Sequence, residues 1–409
     1  MTITTAQTSR GRRKRIAVVM GTRPEAIKMA PVVHALRRQS ERFETVVVAT
    51  AQHRHMLDQV LSIFRIEPDI DLDLMRQDQS LSDLAARVLT TMDATLREVK
   101  PDLLMVQGDT TTVLATAVAA FHRHIPVAHV EAGLRSHDLH NPFPEEMNRR
   151  LTSVLASLHF APTPLARREL RRENIGAERI VVTGNTVVDA LYQLLAEPFD
   201  VRNTPLDGIP FAKHRLLVVT SHRRESWGQD LENTCLALRD LVERFRDLLV
   251  VYPVHLNPNV RKTVMRILRG AHRIHLTEPL DYFTFVNLMR RSHLILTDSG
   301  GVQEEAPTLG KPLPVLRKLT ERPEALHAGL SKVVGNSRAA IVQESCRLLE
   351  DEKAYREMVS LDNPFGDGRA AGRITAALRR WASGRSPLLE PGEEFLPAEL
   401  LPAPIALAR

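Results

Sequence analysis

The stretch RIAVVMGTRPEAIKMAP, residues 15–31, decides the fold. An unbroken apolar run ends at Gly21, and Pro24 then stands where a helical pattern begins. Apolar runs bounded by turn residues are typical of strands buried on both faces, as in parallel sheets. Proline suits a first helical position because its missing N–H would have no partner there. The stretch therefore predicts a buried strand followed by a helix, the first unit of an α/β fold.

The same alternation of strand and helix continues through the chain. Further strands are predicted in the first half at 44–50, 102–108, 126–131 and 179–184. In the second half they are predicted at 215–222, 248–254, 273–279, 293–299, 312–317 and 332–335. Helical patterns lie between them at 25–39, 111–124, 230–245 and 355–362. Two sets of βα units predict two doubly wound, Rossmann-like domains that face one another across a cleft.

The domain boundary is predicted where prolines and glycine interrupt both periodicities. The segments are a basic extension 1–14, an N-terminal lobe 15–198, a linker 199–214 and a C-terminal lobe 215–362. A helix in 367–384 is predicted to return to the first lobe, and the proline-rich 385–409 is expected to be a loosely held tail.

Composition narrows the class of protein. The 409 residues are 43% hydrophobic and 25% charged, as expected for globular domains. The two cysteines, Cys235 and Cys346, have neither a disulfide nor a zinc-site spacing, so we expect no metal and a cytoplasmic location. No apolar run is long enough to span a bilayer. The net charge of +6 is spread over helices without aromatic partners, which argues against nucleic acid and suits an anionic small molecule.

The motif GTRPEAIK, residues 21–28, joins the first strand to the first helix. Free N–H groups at a helix start can bind an anion, and Arg23 and Lys28 would add positive charge. An ordinary helix start with exposed charges is the alternative. The motif is weak when taken alone.

Carboxylates follow later strands of the first half. Asp109 and Glu131 end two neighbouring predicted strands, and Glu145 lies in the charged, proline-bounded stretch HVEAGLRSHDLHNPFPEEMNRRL, residues 129–151. Crowded carboxylates suit proton transfer, because their mutual repulsion alters their protonation. Asp109 could instead be only a helix N-cap, and the charged stretch only a solvated loop.

The second half carries a sharper anion motif. In LTDSGGVQEEAP, residues 296–307, Ser299, Gly300 and Gly301 lie between a strand and a helix and would offer N–H groups to phosphate. Glu305 could accept hydrogen bonds from ribose, and Arg322 could bind a second phosphate. His222 ends the first strand of this half beside two arginines, a position that suits diphosphate contact or proton transfer. An ordinary buried or surface histidine is the alternative.

Together these motifs resemble a known family. GTRPEAIKMAP, QGDTTT, HVEAGLRS, PFPEEMNRRL, HRRES, TDSGGVQEEAP, TERPEA and NPFGDG occur in this order, and the likeness covers roughly residues 15–385. The chain resembles the bacterial non-hydrolysing UDP-N-acetylglucosamine 2-epimerases. That resemblance implies a glycosyltransferase-B type of fold, usually in a cytoplasmic homodimer, and interconversion of UDP-GlcNAc and UDP-ManNAc.

The resemblance also implies roles for the candidate residues. Asp109, Glu131 and Glu145 would transfer protons or position the sugar, and His222 would assist the departure and return of UDP. No NAD and no metal is required. The resemblance further implies that Lys28 neighbours the phosphates and that Phe285 contacts the uracil side. Gln52, His53 and Gln79 match a second, activating UDP-GlcNAc site. The remaining UDP contacts would come from Arg23, Ser299, Gly300, Gly301, Glu305 and Arg322.

Some positions depart from the family pattern. Lys318 and Leu319 replace an acidic residue and Thr, Leu330 replaces a Thr, and Ser221 replaces a common Gly. These changes leave the proposed chemical groups in place but put the exact amino sugar in doubt. A hydrolysing 2-epimerase, a glycosyltransferase of the same architecture and a non-catalytic UDP-sugar-binding protein remain the alternatives.

Overall fold

A computed structural model describes residues 12–50, 54–74, 76, 79–221, 223, 226–318, 320, 322–359 and 362–397. The chain divides into two compact units. The first comprises the described residues up to Thr186 together with Ala371–Glu394, and the second comprises Val187–Ala370 together with the described residues 395–397. Each unit contains its own parallel sheet with helices in the connections. The predicted α/β class with two Rossmann-like domains is confirmed.

The first unit is built on a seven-stranded parallel sheet with the order β3-β2-β1-β4-β5-β6-β7. Its strands are β1 Lys14–Met20, β2 Phe43–Ala49, β3 Ile70–Asp71, β4 Leu103–Gln107, β5 Val127–Val130, β6 Leu158–Ala161 and β7 Ile180–Val182. Its helices are α1 Arg23–Arg37, α2 Arg54–Ile63, α3 Leu81–Val99, α4 Thr111–His122, α5 Glu145–Leu155, α6 Pro164–Arg172 and, after the second unit, α15 Ala370–Ala382. Buried aliphatic side chains of the sheet pack against α3 and α4 in one continuous core.

The second unit repeats this plan with a six-stranded parallel sheet of order β10-β9-β8-β11-β12-β13. Its strands are β8 Arg215–Thr220, β9 Leu248–Pro253, β10 Ile274–Thr277, β11 Leu294–Thr297, β12 Leu313–Val315 and β13 Ser331–Val333. Its helices are α7 Thr186–Leu195, α8 Gln229–Arg244, α9 Pro258–Leu268, α10 Tyr282–Arg291, α11 Gly300–Glu305, α12 Pro323–His327, α13 Arg338–Glu350 and α14 Glu352–Val359.

Strand order places the candidate motifs. In the first sheet the order reverses between β1 and β4, and in the second between β8 and β11. Ligands of open α/β sheets bind beyond the carboxyl ends of the strands at such a reversal. The GTRPEAIK motif and Asp109 follow β1 and β4, while Ser221 and Ser299 follow β8 and β11. In each unit the motifs therefore lie at the reversal point.

Two strands of the first sheet were not predicted. β3 has two residues, and β6 has four, LHFA at Leu158–Ala161. β3 is too short to show a strand pattern in sequence, and the LHFA run of β6 follows closely on the apolar residues 154–156 at the end of α5, so it does not stand out as a separate strand. β6 is defined instead by pairing with both β5 and β7 inside the sheet. The six predicted strands of the second half each correspond to one observed strand.

The first unit ends earlier than the predicted boundary at residue 198. Helix α7 groups with the second unit because it packs on the segment before α15. Asp189 of α7 accepts a hydrogen bond from Ala370 N at 3.1 Å, and the Tyr192 ring lies against Gly368. The predicted linker 199–214 therefore lies within the second unit of this division, and proline content does not reveal which core a helix joins.

The described part of the proline-rich C-terminus, residues 385–397, is packed rather than loosely held. Leu388 and Leu389 are buried. Glu394 accepts a hydrogen bond from Val182 N of β7 at 3.0 Å and forms an ion pair with Arg167 of α6. Residues 385–394 of this segment therefore belong to the first unit, whereas residues 395–397 group with the second. In the described portion of the chain, helices fall short of the length and apolarity that crossing a membrane requires.

Candidate active site

Glu131 follows β5, the strand next to β4 and therefore beside the reversal point of the first sheet. It has a positive φ of 65°, which a side chain with a Cβ adopts at a cost of about 1–2 kcal/mol. Lys28 Nζ, from α1, lies 2.7 and 2.6 Å from the two Glu131 carboxylate oxygens. Gln107, the last residue of β4, also donates to this carboxylate. The donors Lys28 and Gln107 and the positive-φ backbone fix the orientation of the Glu131 carboxylate, and the Lys28 ammonium balances its negative charge.

Asp109 lies in the loop after the neighbouring strand β4. Arg149 Nη2, from α5, donates a hydrogen bond to the Asp109 carboxylate, and Asn148 Nδ2 donates to its backbone oxygen at 3.0 Å. The N-cap of α4 is Thr110, whose hydroxyl accepts a hydrogen bond from Val113 N. The N-cap alternative for Asp109 is therefore wrong, and its carboxylate is available for another role.

Glu145 is the first residue of α5 and is half-buried. The next residue, Glu146, is fully buried and accepts hydrogen bonds from Ser136 N at 2.9 Å and His137 N at 3.3 Å. It also forms an ion pair with Arg149. Residues 137–141 in the middle of the charged stretch are exposed. Its two ends are not a solvated loop, because Glu146 ties the segment after Glu131 to the helix that Glu145 begins.

Glu25 connects the first two loops at this reversal point. Its buried carboxylate accepts hydrogen bonds from Gly21 N at 2.6 Å, Thr22 N at 3.2 Å and Thr110 Oγ1 at 2.9 Å. Burial raises the pKa of Glu25, while these hydrogen bonds oppose the shift. Arg23, two residues earlier, is exposed. Glu25 thus fixes the loop carrying Arg23 next to the loop carrying Asp109.

His129 supports the same region from within β5. Its Nε2 donates to Gly108 O at 2.7 Å, and burial lowers its pKa to about 3. The imidazole is therefore neutral, which is compatible with its position near Arg135 and Arg149. Gly108 has a positive φ of 81°, so this hydrogen bond holds a turn that favours glycine.

In the second unit, Ser299 is the N-cap of α11, which begins with Gly300 and Gly301. Two guanidinium groups lie beside this turn: a Cβ at Gly300 would be 3.6 Å from Arg223 Nη2 and 3.9 Å from Arg322 Nη2. Asp298 accepts a hydrogen bond from Arg223 N at 2.9 Å. Arg322 also forms an ion pair with the buried Glu304. The structure thus joins Arg322 to the serine and glycine motif and adds Arg223, which places two guanidinium groups beside a turn that could bind an anion.

Glu305 is hydrogen-bonded to α10, the helix that contains Phe285. Glu305, the last residue of α11, is buried and accepts a hydrogen bond from Tyr282 Oη at 2.8 Å. Tyr282 begins α10, the helix that also contains the half-buried Phe285. Tyr282 therefore orients the carboxylate to which a ribose contact is assigned.

The structure says less about the remaining predicted positions, several of which it does not describe. His222, Gln52, His53 and Leu319 lie outside the described residues. Gln79 accepts a hydrogen bond from Arg87 Nη1 at 2.9 Å. Of the family departures, Lys318 is exposed, whereas Leu330 is buried in the core after α12. Within the described ranges, His, Cys, Asp and Glu side chains do not gather in threes to hold a metal ion.

From the sequence alone, the candidate carboxylates were predicted without the specific residues that hold them. Gln107 immediately precedes the GDTTT turn, and Arg149 lies four residues after Glu145 on one helix, so spacing could have indicated both. Glu25, three residues after Thr22, has the spacing of a capping-box acid. The Arg149 contact with Asp109 joins positions 40 apart and has no local signal.

Comparison with known proteins agrees with this arrangement. The UDP-N-acetylglucosamine 2-epimerase family model matches residues 34–379. UDP-N-acetylglucosamine 2-epimerase of Escherichia coli strain K12 is 50% identical over 370 residues, which are 89% of this chain and 98% of that protein.

Solved structures of UDP-GlcNAc 2-epimerases are also similar to this chain in fold and sequence. UDP-GlcNAc 2-epimerase from Neisseria meningitidis, bound to UDP-GlcNAc, has a TM-score of 0.83 and 44% identity, covering 90% of this chain and 100% of that one. The Methanocaldococcus jannaschii enzyme in complex with UDP-GlcNAc and UDP has a TM-score of 0.73 and 33% identity, covering 89% and 99%. These matches confirm the glycosyltransferase-B type of fold. The chain belongs to the UDP-N-acetylglucosamine 2-epimerase family.

Proposed function

We propose that this protein is a non-hydrolysing UDP-GlcNAc 2-epimerase that interconverts UDP-GlcNAc and UDP-ManNAc. The observation that supports it best is the pair of carboxylates Asp109 and Glu131, which follow adjacent strands and each have a cationic partner. The Neisseria relative that binds UDP-GlcNAc supports the choice of substrate.

The chemistry explains the need for several carboxylates. The C2 proton is not adjacent to a carbonyl, so direct abstraction would give no stabilised carbanion. In the proposed reaction the C1–O bond to UDP breaks while a base takes the C2 proton, which leaves 2-acetamidoglucal. UDP then adds back to C1 as a proton is delivered to the opposite face of C2. Two faces require two proton-transfer groups, drawn from Asp109, Glu131 and Glu145.

The second unit would bind the nucleotide. Ser299, Gly300 and Gly301 would offer N–H groups to the diphosphate, Arg322 a guanidinium, and Glu305 a carboxylate to the ribose. His222 would assist the departure and return of UDP, Arg23 would contact the nucleotide, and Phe285 would pack near the uracil. Lys28 has two candidate roles, as a phosphate neighbour and as the cation of Glu131.

The proposal extends to assembly and regulation. We propose a cytoplasmic homodimer that needs neither NAD nor a metal. Gln52, His53 and Gln79 would contribute to a second UDP-GlcNAc site that activates the enzyme. Sedimentation of the purified protein tests the dimer. A sigmoidal rate curve against UDP-GlcNAc, lost on replacing Gln79 by alanine, tests the activating site.

Solvent exchange tests the reaction directly. The protein is incubated with UDP-GlcNAc in deuterium oxide, and recovered UDP-sugars are analysed by NMR and mass spectrometry. We expect deuterium at C2 and a mixture of UDP-GlcNAc and UDP-ManNAc. Accumulation of free ManNAc with equimolar UDP would identify a hydrolysing enzyme instead, and absence of both exchange and product would refute an epimerase.

A glutamine substitution at Glu145 tests the assignment of roles. Glu145→Gln keeps the size of the side chain but removes its capacity to exchange a proton. We expect C2 exchange to fall by about 100-fold or more, while UDP affinity stays near that of the unchanged protein. Calorimetric titration with UDP provides the comparison. Equal losses of exchange and of UDP affinity would mean that Glu145 acts in binding.

A further inference from the structure

We propose that Arg149 is a positioning residue for the reaction: its guanidinium, held by Glu146, fixes the Asp109 carboxylate for proton transfer. This inference rests on the proposed function. It starts from the ion pairs of Arg149, which joins Asp109 through Nη2 and Glu146 through Nη1. One guanidinium thus connects the loop after β4 to a carboxylate on its own helix.

The burial of the three side chains shows that the Glu146 end of this ion-pair network is enclosed in the protein and that the Asp109 end is open to solvent. The Glu146 side chain is 0% exposed and that of Arg149 is 8% exposed, whereas that of Asp109 is 27% exposed. Glu146 is also held by the N–H groups of Ser136 and His137. The buried end is therefore anchored to the backbone, and the open end is the carboxylate that substrate can reach.

The shape of the guanidinium makes this arrangement specific to arginine. Its N–H donors lie in a rigid plane, so Nη1 and Nη2 can address two carboxylates at once. A lysine has one nitrogen at the end of a flexible stem and would hold one partner at a time. Substitution by lysine should therefore retain charge but lose orientation.

A neighbouring ion pair provides a matched control. Arg135 is also buried, with its side chain 1% exposed, and pairs with Glu173 at 2.7 Å. It donates to Ser153 Oγ of α5 at 3.0 Å, so it too ties the segment after Glu131 to α5. The described contacts of Arg135 do not include Asp109. If burial of an ion pair were all that mattered, the two arginines would behave alike.

The experiment compares the full-length variants Arg149→Met, Arg149→Lys and Arg135→Met with the unchanged protein. The readouts are kcat and KM for C2 exchange, UDP affinity by calorimetry and folding by circular dichroism. We expect Arg149→Met to lose kcat by about 100-fold or more, with UDP affinity changed by less than about threefold. Arg149→Lys should have an intermediate kcat, and Arg135→Met should keep kcat within about threefold of the unchanged protein.

Chemical rescue separates positioning from loss of structure. Methylguanidine added to Arg149→Ala should raise kcat by about tenfold, because it restores a charge-assisted hydrogen bond to Asp109. The same addition should not change the kcat of Arg135→Ala. If Arg149→Met folds poorly, Arg149→Lys, which keeps a positive charge beside both carboxylates, supplies the comparison, and an unchanged kcat in that variant would overturn the positioning role.

The outcomes distinguish this inference from the proposed function. If the unchanged protein exchanges at C2 and Arg149→Met keeps its kcat, or if the two arginine variants lose kcat equally, the positioning role is overturned and the epimerase assignment stands. If the unchanged protein itself shows no exchange, the proposed function fails and this inference fails with it.

Discussion

The Lys28 and Glu131 pair is the residue-level feature on which the first unit's chemistry depends. Both side chains are largely buried, with exposures of 12% and 6%. Removing one partner of such a pair leaves an uncompensated charge and typically costs about 3–5 kcal/mol. Lys28→Met should therefore lower both stability and C2 exchange. Urea unfolding and the deuterium assay measure the two effects.

A double variant separates the two effects of that substitution. Lys28→Met combined with Glu131→Gln removes both charges, so much of the lost stability should return. Exchange should stay low, because glutamine cannot transfer the proton. A double variant that is no more stable than Lys28→Met would contradict the charge-matching explanation.

Two buried histidines make stability depend on pH. Burial lowers the pKa of His129 to about 3 and that of His159 to about 4. In the unfolded chain a histidine has a pKa near 6.5, so below that pH the unfolded state binds more protons than the folded state. The stability of the fold is therefore fully present above about pH 6.5 and is lost as the pH falls. Each of these histidines should therefore lower the free energy of unfolding by about 1.4 kcal/mol when the pH falls from 7.5 to 5.5.

Replacing one histidine tests this dependence. His159→Gln keeps a donor for Ser153 O, to which His159 Nε2 is bonded at 3.0 Å, but cannot be protonated. The loss of unfolding free energy between pH 7.5 and 5.5 should shrink by about 1.4 kcal/mol relative to the unchanged protein. Urea unfolding at both pH values gives the difference. An unchanged pH dependence would show that His159 does not contribute.

Sequence predicted the candidate acids better than their partners. Asp109 and Glu131 could be predicted because carboxyl ends of adjacent parallel strands lie at one sheet edge. Lys28 and Arg149 were visible as charges, but their carboxylate partners are 103 and 40 residues away. Long-range pairing depends on helix packing, which local patterns do not encode.

At the level of elements, the connection between β5 and α5 depends on Gly133. Its φ is 95°, and an added Cβ would lie 2.3 Å from Ala166 O of α6. Backbone cannot yield as a flexible side chain can, so Gly133→Ala should destabilise the first unit by roughly 3 kcal/mol or more. The urea midpoint of the variant measures this change.

Gly270→Ala is the control for that substitution. Gly270 has a similar φ of 76°, but an added Cβ would meet nothing within 4 Å. Only the strain of a positive φ remains, about 1–2 kcal/mol. Equal losses in the two variants would mean that the contact with α6 is not the cause.

At the level of the whole molecule, each unit has its own tryptophan. The chain contains two, and Trp381 lies in the first unit while Trp227 lies in the second. Single-tryptophan variants, Trp227→Phe and Trp381→Phe, therefore report the unfolding of each unit separately by fluorescence.

This probe tests the role of the packed C-terminal segment. Truncation after Gly384 removes Glu394, which binds β7 and Arg167, and the buried Leu388 and Leu389. We expect the Trp381 transition to move to lower urea while the Trp227 transition stays in place. A shift confined to the Trp227 signal would show that the segment stabilises the other unit.

The two-domain plan was predicted because strand and helix patterns alternate twice along the chain. The division at Thr186 was not predicted, since it follows from contacts of α7 with the segment before α15. Which core an amphipathic helix joins is a property of tertiary packing, and its apolar face alone does not specify the choice.

The return of α15 to the first unit has a consequence for synthesis on the ribosome. Its buried Ile374, Ala377 and Leu378 complete a core whose other strands and helices end at residue 186. The ribosome must therefore synthesise the whole second unit before the core of the first unit can be completed. Domains commonly fold in the order of their translation, and here that order is interrupted. Until α15 has been synthesised, the first unit exposes the apolar surface that α15 later covers. We expect chaperones to bind the nascent chain mainly during that interval.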